Sequence, residues 1–146
     1  MLSPLAYWLI LLAVTAYAFG RGARDERTVI GIVVVASIAT VIVYSPEAGA
    51  FEDIETGVFI VDVAALAAFI GVALISSRFW PLWVAGFQLT SVMSHAMKAV
   101  HWDLIPQVYA AAERFWIYPM LLAIIVGTWR SHRRLAATRN GTAAAT

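Results

Sequence analysis

The chain of 146 residues contains no cysteine. Disulfide bonds, thiolate metal sites and cysteine nucleophiles are therefore excluded. Charged residues are also scarce: they make up 13% of the chain, against about 25% in an ordinary soluble domain. Hydrophobic residues make up 62%, so there are too few polar side chains to cover a surface that faces water. This composition predicts one polytopic membrane domain.

The net charge of +1 argues against a nucleic-acid-binding protein. No nucleophile elbow, zinc-protease motif or phosphate-binding loop occurs in the sequence, and no enzymatic activity is predicted. Nine of the ten basic residues are arginine, a bias that favours a GC-rich bacterial genome. We therefore predict a multi-pass protein of the bacterial inner membrane.

Five apolar stretches predict an all-α bundle of five transmembrane helices, since each is about as long as a membrane crossing requires. A strand pattern is absent, and an open sheet could not satisfy its backbone groups in lipid. The predicted helices span residues 2–19, 28–44, 58–75, 80–102 and 106–129. The fifth has two possible beginnings, near residue 106 or near residue 115. Residues 131–146 are predicted to form a basic, disordered cytoplasmic tail.

The distribution of charge between the helices predicts the orientation. The loop at 20–27, the loop at 76–79 and the segment from 130 onwards are basic, whereas the loop at 45–57 carries four acids and no base. With five crossings the three basic segments fall on one side. The N-terminus is therefore predicted outside and the C-terminus inside.

Small residues and one proline predict details of packing. The patterns Ala64-x-x-x-Ala68 and Ala67-x-x-x-Gly71 on the third helix predict close approach to other helices. Pro119 predicts a kink in the fifth helix.

The fourth helix carries a polar stripe. Gln88, Ser91, His95 and Lys98 recur at spacings of three and four residues, which places them on one helical face. An ionisable side chain at membrane depth is costly and usually faces protein or water. This stripe is the strongest indication of a site in the sequence.

Folding the predicted helices together brings ionisable residues from three of them to one depth in the outer leaflet. The predicted ligand or proton site comprises Asp62, Ser91, His95, Lys98, Glu113 and Arg114. Three interpretations remain open: interhelical ion pairs that fix helix register, a cavity for a proton, ion or small polar solute, or charges that snorkel to the interface.

His95 also raises the question of a cofactor. A histidine four residues after the small Ser91 could ligate a haem iron or a chlorophyll magnesium. His101 lies on the same helix, so a bis-histidine site would need two chains. A metal site made of Asp62, His95 and Glu113 is disfavoured because neighbouring cations would repel the metal.

Two functions compete. The first is an accessory subunit that packs into a larger membrane complex or into a homo-oligomer, with charges used for docking. The second is a small transporter or receptor that binds or moves a proton, ion or polar solute, with His95 as the titrating member. A hydrolase using Ser91 or Ser94 with His95 and Asp62, in which Ser91 hydrogen-bonds to His95, is a weaker alternative. The lipid bilayer is a partner in every case.

Overall fold

A computed structural model describes the backbone of residues 3–43, 51–100 and 115–143, and the side chains of these residues apart from 51–55, 98–100 and 139–143. Within these residues the chain forms five helices and no strand. They are α1 (Pro4–Arg21), α2 (Arg24–Val43), α3 (Phe51–Ile75), α4 (Trp80–Val100) and α5 (Ile117–Ala143). The prediction of an all-α chain is confirmed for this part of the sequence.

The connection between α1 and α2 is short, and side chains cap the first turns of both helices. Ser3 accepts a hydrogen bond from the backbone N–H of Ala6 at 3.3 Å, and Pro4 occupies the first turn, where its missing N–H costs nothing. At the beginning of α2, the carboxylate of Glu26 accepts the backbone N–H of Ala23 at 2.9 Å. Acids in the first turn of α2 also complement the helix dipole.

The five helices form a closed ring in which each packs against its neighbours in sequence and α5 returns to α1. The most extensive packing joins α3 to α4, and α2 also reaches α5 across the ring. Every helix contributes to one apolar core: Leu11, Val14, Ala18, Val29, Ile30, Val33, Ala65, Phe69, Val84, Ala85, Met120, Leu121 and Ile124.

Three of the helices are long and apolar enough to cross a membrane: Pro4–Arg21, Arg24–Val43 and Thr56–Ile75. Only a minority of the residues in these segments are buried within the bundle, so its outer surface is largely apolar, as contact with lipid requires. Over the described residues, the polar stripe makes α4 less apolar than these three helices. The apolar part of α5 is only 13 residues long, because Arg130 follows it. That these two helices also span the membrane stays a prediction.

The structure moves two predicted boundaries. Helix α3 begins at Phe51, seven residues before the predicted position of 58, because the intervening acids and threonine are compatible with a helical first turn. Helix α5 continues through Ala143, whereas the sequence predicts a disordered tail from residue 131. Residues 131–143 include three alanines, three arginines and one leucine, all strong helix formers, and no proline.

The structure bears on two predictions for helix packing. Pro119 is the third residue of α5, and it follows a helical residue at Phe115 and a turn at Trp116. The residues before 115 lie outside the described part of the chain, so the kink at Pro119 stays a prediction. Ala64, Ala67 and Ala68 lie on the exposed side of α3, so this face does not pack inside the bundle. The alternative beginning of the fifth helix near 106 lies outside the described residues.

Candidate functional site

A polar cluster lies in the α3–α4 interface and is centred on the carboxylate of Asp62. We call Asp62, Gln88, Ser91 and His95 the Asp62 cluster. The side-chain amide of Gln88 donates to Oδ1 of Asp62 at 3.1 Å and to its backbone carbonyl at 3.2 Å. The hydroxyl of Ser91 donates to Oδ2 at 3.0 Å. One carboxylate on α3 thus accepts hydrogen bonds from two successive turns of α4.

His95 completes the cluster one turn further along α4. Its Nε2 lies 3.2 Å from Oδ2 of Asp62, and the side chains of His95 and Asp62 are only 8% and 18% exposed. The imidazole also packs edge-on against the ring of Phe59, with the ring centroids 6.3 Å apart. The carboxylate and the imidazole therefore face each other between α3 and α4, largely shielded from solvent.

Of the six residues predicted for the site, the structure brings three together: Asp62, Ser91 and His95. The backbone of Lys98 is in α4, but its side chain is outside the described set, as are Glu113 and Arg114 altogether. The hydroxyl of Ser91 donates to Oδ2 of Asp62, and the hydrogen bond between Ser91 and His95 stays a prediction. Gln88, predicted only as a member of the polar stripe, is a direct partner of the carboxylate.

The cluster lies in the middle of the helices rather than near their ends. Because α3 begins at Phe51, Asp62 falls close to the centre of a 25-residue helix, not one turn from its beginning as the sequence predicts. Its partner Gln88 lies near the middle of the 21-residue α4. Within the apolar segment Thr56–Ile75, Asp62 is the seventh of 20 residues, and an ionisable side chain in such a segment is costly unless it faces protein or water.

A second polar cluster, which the sequence analysis missed, joins three parts of the chain at the other end of α4. We call Asp25, Glu26, Ser76, Arg78 and Ser131 the Arg78 cluster. Nη1 of Arg78 donates to Oε1 of Glu26 at 2.8 Å and to the hydroxyl of Ser131 at 2.5 Å. The side chain of Glu26 is fully buried. The guanidinium therefore joins the first turn of α2 to Ser131, in the middle of α5.

Asp25 and Ser76 extend this network toward solvent. The hydroxyl of Ser76 donates to Oδ2 of Asp25 at 2.6 Å and accepts the backbone N–H of Arg78 at 3.1 Å. Nε of Arg78 lies 4.0 Å from the same Asp25 oxygen. The signal for this cluster was present in the sequence: two acids in one otherwise basic loop, and an arginine in another loop predicted on the same side.

The two clusters differ in the chemistry that they can support. In the Arg78 cluster a permanent cation is paired with a buried carboxylate, which suits a structural tie. In the Asp62 cluster the partner of the carboxylate is an imidazole, whose ring nitrogens can donate or accept a hydrogen bond. Within the described residues, no group of three or more histidine, aspartate or glutamate side chains is close enough to hold a metal ion, and Glu113 lies outside that part of the chain. A haem or pigment ligand at His95 would have to displace the Asp62 contact.

Comparison of the chain with protein-family models, with curated proteins and with solved structures finds no match.

Proposed function

We propose that this protein is an accessory subunit of a larger assembly in the bacterial inner membrane. The observation that carries the proposal is the internal pairing of Asp62. Both oxygens of its carboxylate contact side chains of α4: Gln88, Ser91 and His95. These polar side chains hold α3 and α4 in register. Because they bind each other, we infer a structural role for them instead of the binding of a ligand.

The outer face of α3 supports the existence of a partner. Ala64, Ala67 and Ala68 are exposed, and a Cβ added to Gly71 would meet no atom within 4 Å. Small residues at this spacing let another helix approach closely, whereas lipid contact does not require them. We propose that the occupant of this face is a transmembrane helix of another subunit, in a hetero-complex or a homo-oligomer.

The Arg78 cluster supports five crossings with the N-terminus outside and the C-terminus inside. It places the α1–α2 connection, the α3–α4 connection and Ser131 at one end of the bundle. An alternating up-and-down course through five helices produces this arrangement. The same end carries Arg21, Arg24 and Arg130, and an excess of arginine marks the cytoplasmic side.

The subunit proposal is tested by purifying a tagged chain from its native membrane in mild detergent and identifying co-purifying proteins by mass spectrometry. We expect stoichiometric membrane partners, or a defined homo-oligomer. Ala68→Leu should abolish the association without changing the melting temperature. Ala13→Leu, at an exposed alanine of α1, is the matched control and should retain it. A monomeric wild-type chain without partners, or an Ala68→Leu variant that keeps them, would contradict the proposal.

One observation favours a second candidate function, the binding or movement of a proton or small cation. Asp62 and His95 form an acid–imidazole pair that is largely shielded from solvent, and such pairs recur in membrane proton relays. The test is pH-driven proton flux into liposomes that contain the purified protein. Flux that is lost in His95→Gln and kept in Ser94→Ala would favour this function over the first. An absorption spectrum of the native protein tests the remaining alternative of a haem or pigment at His95.

A further inference from the structure

A groove of about 460 Å³ runs along the outside of the bundle between α4 and α5. On α5 it is lined by a single stripe at helical spacing, and on α4 by aromatic residues one turn apart. Its apolar wall includes Trp80, Trp83, Phe87, Leu122 and Val126, and its basic end includes Arg130 and Arg134. The Asp62 cluster and the outer face of α3 contribute nothing to this groove.

Most of the groove is apolar and open to the surroundings of the bundle. Trp83, Leu122 and Val126 are 57%, 59% and 43% exposed. The ring of Phe87 lies beside that of Trp83, with the centroids 6.4 Å apart. This wall suits a flexible hydrocarbon chain, because aromatic rings and aliphatic side chains make up most of its surface.

The other end of the groove is cationic. Arg130 and Arg134 lie one turn apart on α5, both exposed. No carboxylate in the described part of the chain lies within ion-pair distance of either guanidinium. Arg78 also borders this end, but its Nη1 is already bonded to Glu26 and Ser131. Helix α5 contains no acidic residue at all, so the positive charge of this end is not balanced locally.

We propose that this groove binds one anionic phospholipid, with its phosphate between Arg130 and Arg134 and an acyl chain along Trp83, Phe87 and Leu122. Basic pockets between transmembrane helices on the cytoplasmic side recognise anionic headgroups. Trp80 and Trp83 lie near the cationic end, at the level where indole rings settle between headgroups and chains.

The length of the groove favours a lipid over other anions. From Pro119 to Arg134 the α5 wall is about 22 Å long at 1.5 Å per residue. One leaflet of a bilayer with its headgroup region is about 20–22 Å thick. A free phosphate would use only the arginine end, and an acidic peptide would leave its backbone polar groups unsatisfied against the apolar wall.

Native mass spectrometry of the full-length protein tests the proposal, after equilibration with mixed micelles of phosphatidylglycerol and phosphatidylcholine in equal amounts. We expect one phosphatidylglycerol retained per chain, with little phosphatidylcholine. Arg130→Gln/Arg134→Gln should lower that retention by about thirtyfold, because two charge contacts to the headgroup are lost. Added inorganic phosphate should not displace the lipid.

Two matched controls make the result specific to the groove. Arg24→Gln/Arg27→Gln removes the same charge at the same end of the bundle and should leave retention nearly unchanged. Val126→Trp fills the groove and should block the lipid, whereas Ile125→Trp, at the neighbouring exposed position outside the groove, should not. Equal losses in both arginine variants, equal retention of the two lipids, or a dimer that covers the groove without lipid would overturn the proposal. Membrane partners play no part in this experiment, so its outcome is independent of the subunit proposal.

Discussion

The guanidinium of Arg78 donates to the carboxylate of Glu26 at 2.8 Å across 52 positions of sequence, and the Glu26 side chain has no exposed surface. When one member of a buried ion pair is removed, the other is left as an uncompensated charge, at a cost of about 3 kcal/mol or more. We therefore expect Arg78→Gln, which leaves the fully buried carboxylate of Glu26 without its cation, to lower the free energy of unfolding by about 3 kcal/mol. Thermal unfolding in detergent, followed by circular dichroism, measures this loss.

The double variant Glu26→Gln/Arg78→Gln separates the interaction energy of the pair from the contributions of its neighbours. Because it leaves no charge at the buried position of Glu26, its destabilisation should be smaller than the sum of the two single effects. Arg27→Gln, next to Glu26 in sequence and exposed, serves as the control and should unfold like the wild type. Additive effects in the double variant would mean that the two side chains do not depend on each other.

The Asp62 cluster makes a second prediction about stability. Asp62→Leu removes the acceptor for the Gln88 amide and the Ser91 hydroxyl, which are then left without their partner between α3 and α4. Such a loss typically costs about 1–3 kcal/mol. Asp62→Asn keeps one acceptor oxygen and should lose less. The free energy of unfolding in a graded detergent series compares the two.

Ser94→Ala is the appropriate control for this comparison, because the Ser94 hydroxyl bonds to the carbonyl of Thr90 in its own helix at 2.9 Å. Its removal should change stability little. If Asp62→Leu were as stable as Ser94→Ala, the carboxylate would not be holding the two helices together, and a role in binding or proton movement would gain ground.

The contact between Gly127 and Trp80 makes a third prediction. A Cβ at residue 127 would lie 2.9 Å from Cδ2 and Cε2 of the Trp80 indole, so Gly127→Ala should push the ring out of place and separate α4 from α5. We expect a lower melting temperature and a shifted tryptophan emission spectrum. Gly31→Ala is the matched control, since nothing lies within 4 Å of its Cβ position. It should leave stability unchanged or raise it by up to about 1 kcal/mol.

The absence of cysteine makes the topology directly testable, because every single-cysteine variant carries only one label. We expect Ser3→Cys to react with a membrane-impermeant maleimide applied from outside. Ser77→Cys and Thr138→Cys should react only after the membrane has been opened. Reaction of Ser3→Cys and Thr138→Cys from the same side would require an even number of crossings and would exclude the five-span topology.

Much of the fold could be predicted from the sequence because apolar runs determine helices in lipid with little competition. The runs near α1, α2 and α4 correspond to helices whose ends agree within a few residues. The beginning of α3 could not be predicted in this way. Its first turn holds acids that resemble a loop in composition, and only the backbone shows that they begin the helix.

The sequence predicted the part of the candidate site that lies on α4, because polar residues at helical spacing mark one face of a single helix. The spacing of Ser91 and His95 along α4 was enough to place them on one face, and Asp62 was the nearest acid at a comparable depth. The Arg78 cluster depends on which loops meet at the end of the bundle. Two acids in a basic loop indicate that they have basic partners, but they do not identify which ones. The pairing of Glu26 with an arginine 52 residues away therefore needed the structure.

The continuation of α5 beyond Trp129 has a practical consequence. At 1.5 Å per residue, the part from there to Ala143 forms an arm about 20 Å long. Because its arginines are on a helix, their positions relative to one another are fixed. A surface that binds this segment therefore contacts an ordered set of charges. In the proposed five-span topology, a fluorescent reporter fused after this segment would be held about 20 Å from Trp129 on the cytoplasmic side.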